Sequence, residues 1–143
     1  MPGYSGTPLP QKLGLTPGAT LVLLNAPRGF DAVLGDLPPR AALAAKLPRS
    51  GARAALMMLF CPDRPALAKG LPGASARLAA DGALWIAWPK KASKLFIDLT
   101  EDGVREIALP TGLVDVKVCA VTDDWSGLKL MVRKERRAAW EAS

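Results

Sequence analysis

Three stretches of the chain are almost wholly apolar, and each closes on a proline: "ATLVLLNAP" (19–27), "ARAALMMLFCP" (52–62) and "ALWIAWP" (83–89). Continuous apolar runs of this length are expected of strands covered on both faces. Proline has no N–H for a central ladder, so Pro27, Pro62 and Pro89 mark strand exits. Helix-like segments lie between the runs, which predicts parallel strands. All three exits then fall on one side, the carboxyl edge, where open α/β sheets take their ligands.

The connecting segments fill in the pattern. "YSGTPLPQKLGL" (4–15) predicts a short helical turn, capped by Ser5 or Thr7, with Pro8 in its first position and Gly14 at its end. Thr16 to Gly18 reads as a turn. "GFDAVLGDLPP" (29–39) predicts a short helix with Phe30, Val33 and Leu34 on one face. Residues 40–51 fit either a weak edge strand or a helix. Residues 63–82 read as a helix interrupted by Gly70 and Pro72, with Asp63 as N-cap and Gly82 as its stop. Thr100 opens a helix with Glu101 and Asp102 in its first turn and Val104, Ile107 and Ala108 on one face, closed by Pro110 and Gly112.

The end of the chain changes period. "LVDVKVCAV" (113–121) alternates, with Val114, Val116, Val118 and Ala120 on one face. "TDDWSG" (122–127) supplies a turn, and "LKLMVRK" (128–134) returns with Leu128, Leu130 and Val132 together. This predicts a terminal antiparallel hairpin. The expected architecture is a single α/β domain over residues 1–134. It has a mostly parallel sheet, helices on both faces and a C-terminal antiparallel hairpin, a degenerate Rossmann-like arrangement. Residues 135–143 read as a charged tail. The order of elements also matches the second half of Rossmann-like methyltransferases, an analogy of pattern that carries no activity with it.

Composition excludes several chemistries. The 143 residues contain no histidine, which removes Ser-His-Asp and Cys-His catalysis and His-metal sites. Cys61 and Cys119 both sit in apolar runs and read as reduced core thiols, too few for a structural zinc site. No apolar run reaches the roughly 20 residues of a membrane helix, and "MPGYSGTPLPQKLG" lacks the apolar core of a signal peptide. The expected location is cytoplasmic, with no membrane partner. The first turn after a strand, "NAPRGF", holds only Gly29 where a dinucleotide site needs G-x-G-x-x-G, and residues 40–51 contain no acid for a ribose. No cofactor is expected.

The net charge of +6 permits an anionic partner. The basic residues are scattered and lack aromatic interleaving, so nucleic acid is not the expected partner. "WPKKASK" (88–94) is the one local cluster. Lys90, Lys91 and Lys94 there read either as an anion-holding group beside the crevice or as a solvated loop. Trp88 would form a wall, and Asn25, the polar residue at the end of an apolar strand, would orient the ligand. Trp125, with Ser126 beside it, sits at the predicted hairpin tip, where it either packs back or anchors a protein partner. Asp123 and Asp124 read as turn residues rather than a metal pair.

The segments "GYSGTPLPQKLG", "VLLNAPRGF", "ALWIAWPKKASK", "DLTEDGVREIALPTGLVDVKVCAV" and "WSGLKLMVRK" together resemble a family of small bacterial proteins catalogued only as a domain of unknown function. The resemblance runs from Tyr4 to about Lys134 and is weakest over residues 36–60. It implies a strand order similar to that of methyltransferase halves and supplies no catalytic residue. The expected function is a non-enzymatic binding or regulatory module that recognises an anionic small molecule at the carboxyl edge. The alternatives are a methyltransferase-like enzyme with an atypical cofactor site, using Asp31, Asp98 or a lysine as base, and a protein-interaction module anchored at Trp125.

Overall fold

Alternation along the apolar runs divides the protein into two cores, one on each face of a sheet. A computed structural model describes residues 7–49 and 51–142. Its strands are β1 (Thr20–Leu24), β2 (Ala42–Ala44), β3 (Ala54–Phe60), β4 (Leu78–Pro89), β5 (Leu113–Ala120) and β6 (Trp125–Val132). The helices are α1 (Leu9–Leu13), α2 (Phe30–Leu34), α3 (Arg64–Ala76), α4 (Glu101–Ala108) and α5 (Arg137–Ala142). The sheet order is β2-β1-β3-β4-β6-β5. The β2–β1, β1–β3 and β3–β4 pairs are parallel, and β6 runs antiparallel to both β4 and β5. This is the expected α/β architecture with its antiparallel hairpin.

Even and odd positions of each central strand serve different layers. Val22, Met57, Leu59, Leu84, Ile86 and Trp88 face a core completed by Leu67, Leu71 and Ala74 of α3 and Val104 and Ala108 of α4. Leu21, Leu23, Met58, Phe60, Trp85 and Ala87 face the other core, with Leu13 of α1 and Phe30 and Leu34 of α2. Both faces of β1, β3 and β4 are therefore dry, which is why these strands read as unbroken apolar runs. Trp85 is fully buried, and its indole N–H donates to the Leu13 carbonyl at 2.9 Å. That bond ties α1 to the middle of the sheet. Gly127 of β6 makes room for the ring: a Cβ there would lie 2.9 Å from Val121 Cγ2 and 3.2 Å from Trp85.

Several sequence expectations hold in detail. Asp63 caps α3, accepting from the Ala66 N–H at 2.9 Å, and Thr100 caps α4, accepting from the Gly103 N–H at 3.1 Å. Gly14 and Gly112 close their segments in the left-handed conformation. Leu128, Leu130 and Val132 share the α3/α4 core.

Other expectations are corrected. Pro8 precedes α1 as an N-cap residue without a side-chain bond rather than opening it, and Ser5 lies outside the described residues. On α2 the buried pair is Phe30 and Leu34, while Val33 is 52% exposed, because a five-residue helix presents i and i+4 inward and not i+3. Residues 42–44 settle as the edge strand β2. Gly70 and Pro72 do not interrupt α3, which continues to Ala76. Gly70 instead permits close approach to β3, where its Cβ would sit 3.2 Å from Leu59. Gly82 is not a helix stop. It lies inside β4, in the irregular stretch where Leu78 to Ala83 spans only Ala54 to Leu56 of β3, and a Cβ there would come 2.9 Å from the Ala55 carbonyl.

The single face expected of Val114, Val116, Val118 and Ala120 on β5 does not form: Val114 pairs with Met131 and Val118 with Leu128, which serve opposite faces of β6. A register shift between Asp115 and Lys117 breaks the alternation of this edge strand and leaves Val116 and Val118 exposed. Residues 134–142 form a 3-10 turn and α5, and the Trp140 N–H donates to the Leu78 carbonyl at 2.9 Å.

The Gly127 contact gives a direct check. Gly127→Ala should lower stability by about 1–3 kcal/mol, the usual cost of overpacking, with the urea midpoint reduced and the slope unchanged.

Candidate functional site

The carboxyl edge of the sheet carries two separate concavities. The β4 exit is shaped by pairing with β6, which sets Trp88 opposite Ser126 and Pro89 opposite Trp125. Past Pro89 the chain folds into a tight loop. The Lys90 N–H donates to the Asp124 carbonyl at 2.8 Å, and the Ser93 hydroxyl donates to the Asp124 carboxylate at 2.9 Å. The Ser93 hydroxyl oxygen also accepts from the Leu95 N–H at 3.0 Å. These bonds hold the lysine loop against the β5–β6 tip. They also account for Asp124 as a loop fastener, in keeping with its reading as a turn residue. Among the described residues no group of acids, cysteines or histidines is arranged to hold a metal ion.

The resulting pocket has a volume of about 430 Å³ and is lined by Trp88, Lys90, Lys91, Thr100, Glu101, Asp102 and Ser126. Trp88 is its buried wall, at 4% exposure. Neither Lys90 nor Lys91 takes part in an ion pair among the described residues. The two acids opposite are partly neutralised by Arg105, whose Nη1 lies 2.6 Å from Glu101 Oε2 and 3.6 Å from Asp102 Oδ1. Arg105 is itself fixed by a bond from its Nε to Asp115 Oδ2 at 2.9 Å. The hydrogen bond from Arg105 holds the Asp115 carboxyl below its ordinary range, and the same bonds raise Arg105 further.

Asn25 belongs to a different concavity, of about 480 Å³, lined by residues at the ends of β1 and β2 and the start of α2, including Pro27, Phe30, Asp31 and Ala45. Its φ of 62° is the left-handed conformation, which asparagine tolerates better than most residues. The polar residue at this strand end thus has a backbone reason to be there. Asn25 and the lysines, grouped from the sequence, sit on strands separated by β3. The Asp98 carboxylate accepts from the Arg64 N–H at 2.8 Å, which commits it to the start of α3.

Trp125 and Ser126 part company, since neighbouring strand residues face opposite ways. The Trp125 ring meets Phe60 edge-on with centroids 5.2 Å apart, and joins the α1/α2 core. Ser126 lines the lysine pocket. The walls Thr100, Glu101 and Asp102 were legible only as a helix start, because nothing local signals that α4 begins across from β4. Cys61 is fully buried at the β3 exit; burial, with Asp63 nearby, pushes its thiol up to about 12. A thiol so raised is protonated at neutral pH and is no nucleophile. Burial also raises Cys119, tempered by Lys12 and Lys117.

A mostly parallel sheet with an antiparallel strand inserted before its last member is a Rossmann-like α/β arrangement, with a strand order like that of methyltransferases. Solved structures agree at the level of fold. The ribosomal protein L11 methylase of Lactobacillus delbrueckii subsp. bulgaricus superposes with a TM-score of 0.61 at 11% identity, over 87% of this chain and 75% of the methylase. The N-methyltransferase NodS of Bradyrhizobium japonicum WM9 gives 0.55 at 12% identity, over 81% of this chain and 86% of NodS. A SAM-dependent methyltransferase of Aquifex aeolicus gives 0.54 at 12% identity, over 86% and 87%. The chain belongs to the family described as protein of unknown function (DUF3052), whose model matches residues 53–134. No curated protein matches it.

The Arg105–Asp115 bond carries a pH signature. Because the folded Asp115 carboxyl is held below its unfolded value, its stabilisation is present above the ordinary aspartate range, near pH 3.9, and is lost as pH falls through the lower folded value. Asp115→Asn should therefore cost below about 1 kcal/mol at neutral pH, as for a solvated pair. In chemical denaturation the gap to wild type should close towards pH 2.

Proposed function

We propose that this protein is a non-catalytic binding or regulatory module that takes a small anionic ligand at the carboxyl edge of its sheet. The observation that carries this reading is the β4-exit pocket, where Lys90 and Lys91 line a concavity without an ion-pair partner among the described residues. Paired ammonium groups beside a buried indole suit a carboxylate or phosphate. The opposite wall narrows the class further. Glu101, Asp102 and the Ser126 hydroxyl favour a ligand that also carries hydroxyl or ammonium donors, such as an amino acid or a sugar phosphate.

A second reading, a methyltransferase-like enzyme, is supported by the hollow at the ends of β1 and β2 and by the fold. The chain's own residues argue against ordinary cofactor binding there. Pro27 and Arg28 occupy the turn where backbone must approach a ligand closely, and β2 ends at Ala44, followed by Ala45, with no acid. Trp125 as a protein anchor has less support, since its ring is used against Phe60.

Thermal-shift titration of wild type and Lys90→Ala/Lys91→Ala with amino acids, sugar phosphates, nucleotides and S-adenosylmethionine tests these readings. A polar anion should raise the melting temperature of wild type alone, with a response growing logarithmically with ligand concentration. Equal shifts in both proteins would sink the lysine site. A shift specific to S-adenosylmethionine would turn the assignment to the enzyme.

A further inference from the structure

A cavity larger than either carboxyl-edge hollow lies at the opposite, amino edge of the sheet, and nothing in the proposed function uses it. It measures about 860 Å³ and is built where α3 ends, β3 begins and α5 folds back. This volume is within the range of small-molecule sites. Its body is apolar: Ala68, Leu71 and Pro72 of α3, Ile107 of α4 and Trp140 of α5. The Trp140 N–H is spent on the Leu78 carbonyl at 2.9 Å, so the indole contributes ring surface to the cavity.

The charged groups lining the cavity are Arg53 and Arg77, and no acid is among its lining residues. Their roles differ. Arg53 Nη1 donates to the Ala76 carbonyl at 3.4 Å and the Leu78 carbonyl at 3.2 Å, covering the carbonyl end of α3 and offsetting the negative pole of that helix. Arg77 is half-buried, and its Nε donates to the Pro48 carbonyl at 3.3 Å, which fixes the direction of the fork. Its terminal nitrogens have no hydrogen bond or ion pair among the described residues. A pre-positioned planar fork at the rim of an apolar hollow matches one kind of guest, a carboxylate on an apolar body.

We propose that this cavity is a second binding site, for an amphiphilic monocarboxylate of the medium-chain fatty-acid type. Its alkyl body lies against Leu71, Ile107 and Trp140, and its carboxylate pairs with the terminal N–H groups of Arg77. The site is separate from the lysine pocket and stands or falls without it.

Titration calorimetry on the full chain tests this, using hexanoate, octanoate and decanoate below their micellar concentrations. One-to-one binding should tighten by about two- to fourfold per added methylene, the gain expected of alkyl burial. Arg77→Gln should weaken decanoate at least tenfold and leave 1-octanol unaffected. Ala68→Trp, an exposed helical position on the cavity wall, should abolish binding of both. Lys90→Ala/Lys91→Ala should bind decanoate as wild type does. The melting temperature of each variant controls for folding. No saturable decanoate binding overturns the proposal. So does binding unchanged by Ala68→Trp, an affinity that does not rise from hexanoate to decanoate, or a decanoate affinity indifferent to Arg77→Gln.

Discussion

The burial of Trp85 at the middle of the sheet is the constraint on which most of the structure depends. A fully buried indole must place its N–H, and here it goes to the Leu13 carbonyl 2.9 Å away. That single bond brings the first helix, remote in sequence, onto the central strand. The same ring needs glycine beside it at 127, the β6 residue paired with Ala87, where a Cβ would press on Trp85 and Val121. Because Trp85 faces one core, Leu84 and Ile86 face the other, and Trp88 is delivered to the face that holds α3 and α4. The wall of the lysine pocket is therefore set three residues upstream, by packing rather than by any ligand.

How much was legible follows from the range over which each signal acts. Strands β1, β3 and β6 and the caps Asp63 and Thr100 could be read because apolar runs, alternation and capping chemistry are local. Gly82 and the β5 valines misled because a local rule was overruled by a neighbour. Gly82 answers to the Ala55 carbonyl on the next strand. The β5 alternation is broken by an irregularity that appears only in its pairing with β6.

The sites follow the same division. Lys90 and Lys91 could be placed at the carboxyl edge from the proline at the strand exit. Their partners in the pocket, Thr100 to Asp102 and Ser126, come from two other elements and carry no signal of their own beyond a helix cap and a strand position. Asn25 could be placed on the same edge but not in the same hollow, because strand order, with β3 interposed, is invisible in a linear pattern. The amino-edge cavity was illegible altogether. It joins residues near 52, 75 and 140, and only the fold makes them neighbours.

β4 runs from Leu78, whose carbonyl receives Trp140, through one irregularity before Ala83, to Pro89, just before the lysines. A strand of that length spans at most roughly 35 Å. Charges so far apart in cellular salt are several screening lengths removed, since the Debye length is about 8 Å. The two ends of the molecule are thus electrically deaf to one another. What happens at one rim can reach the other only as mechanical displacement along a rod with a dry core packed on either side, and such a rod yields little.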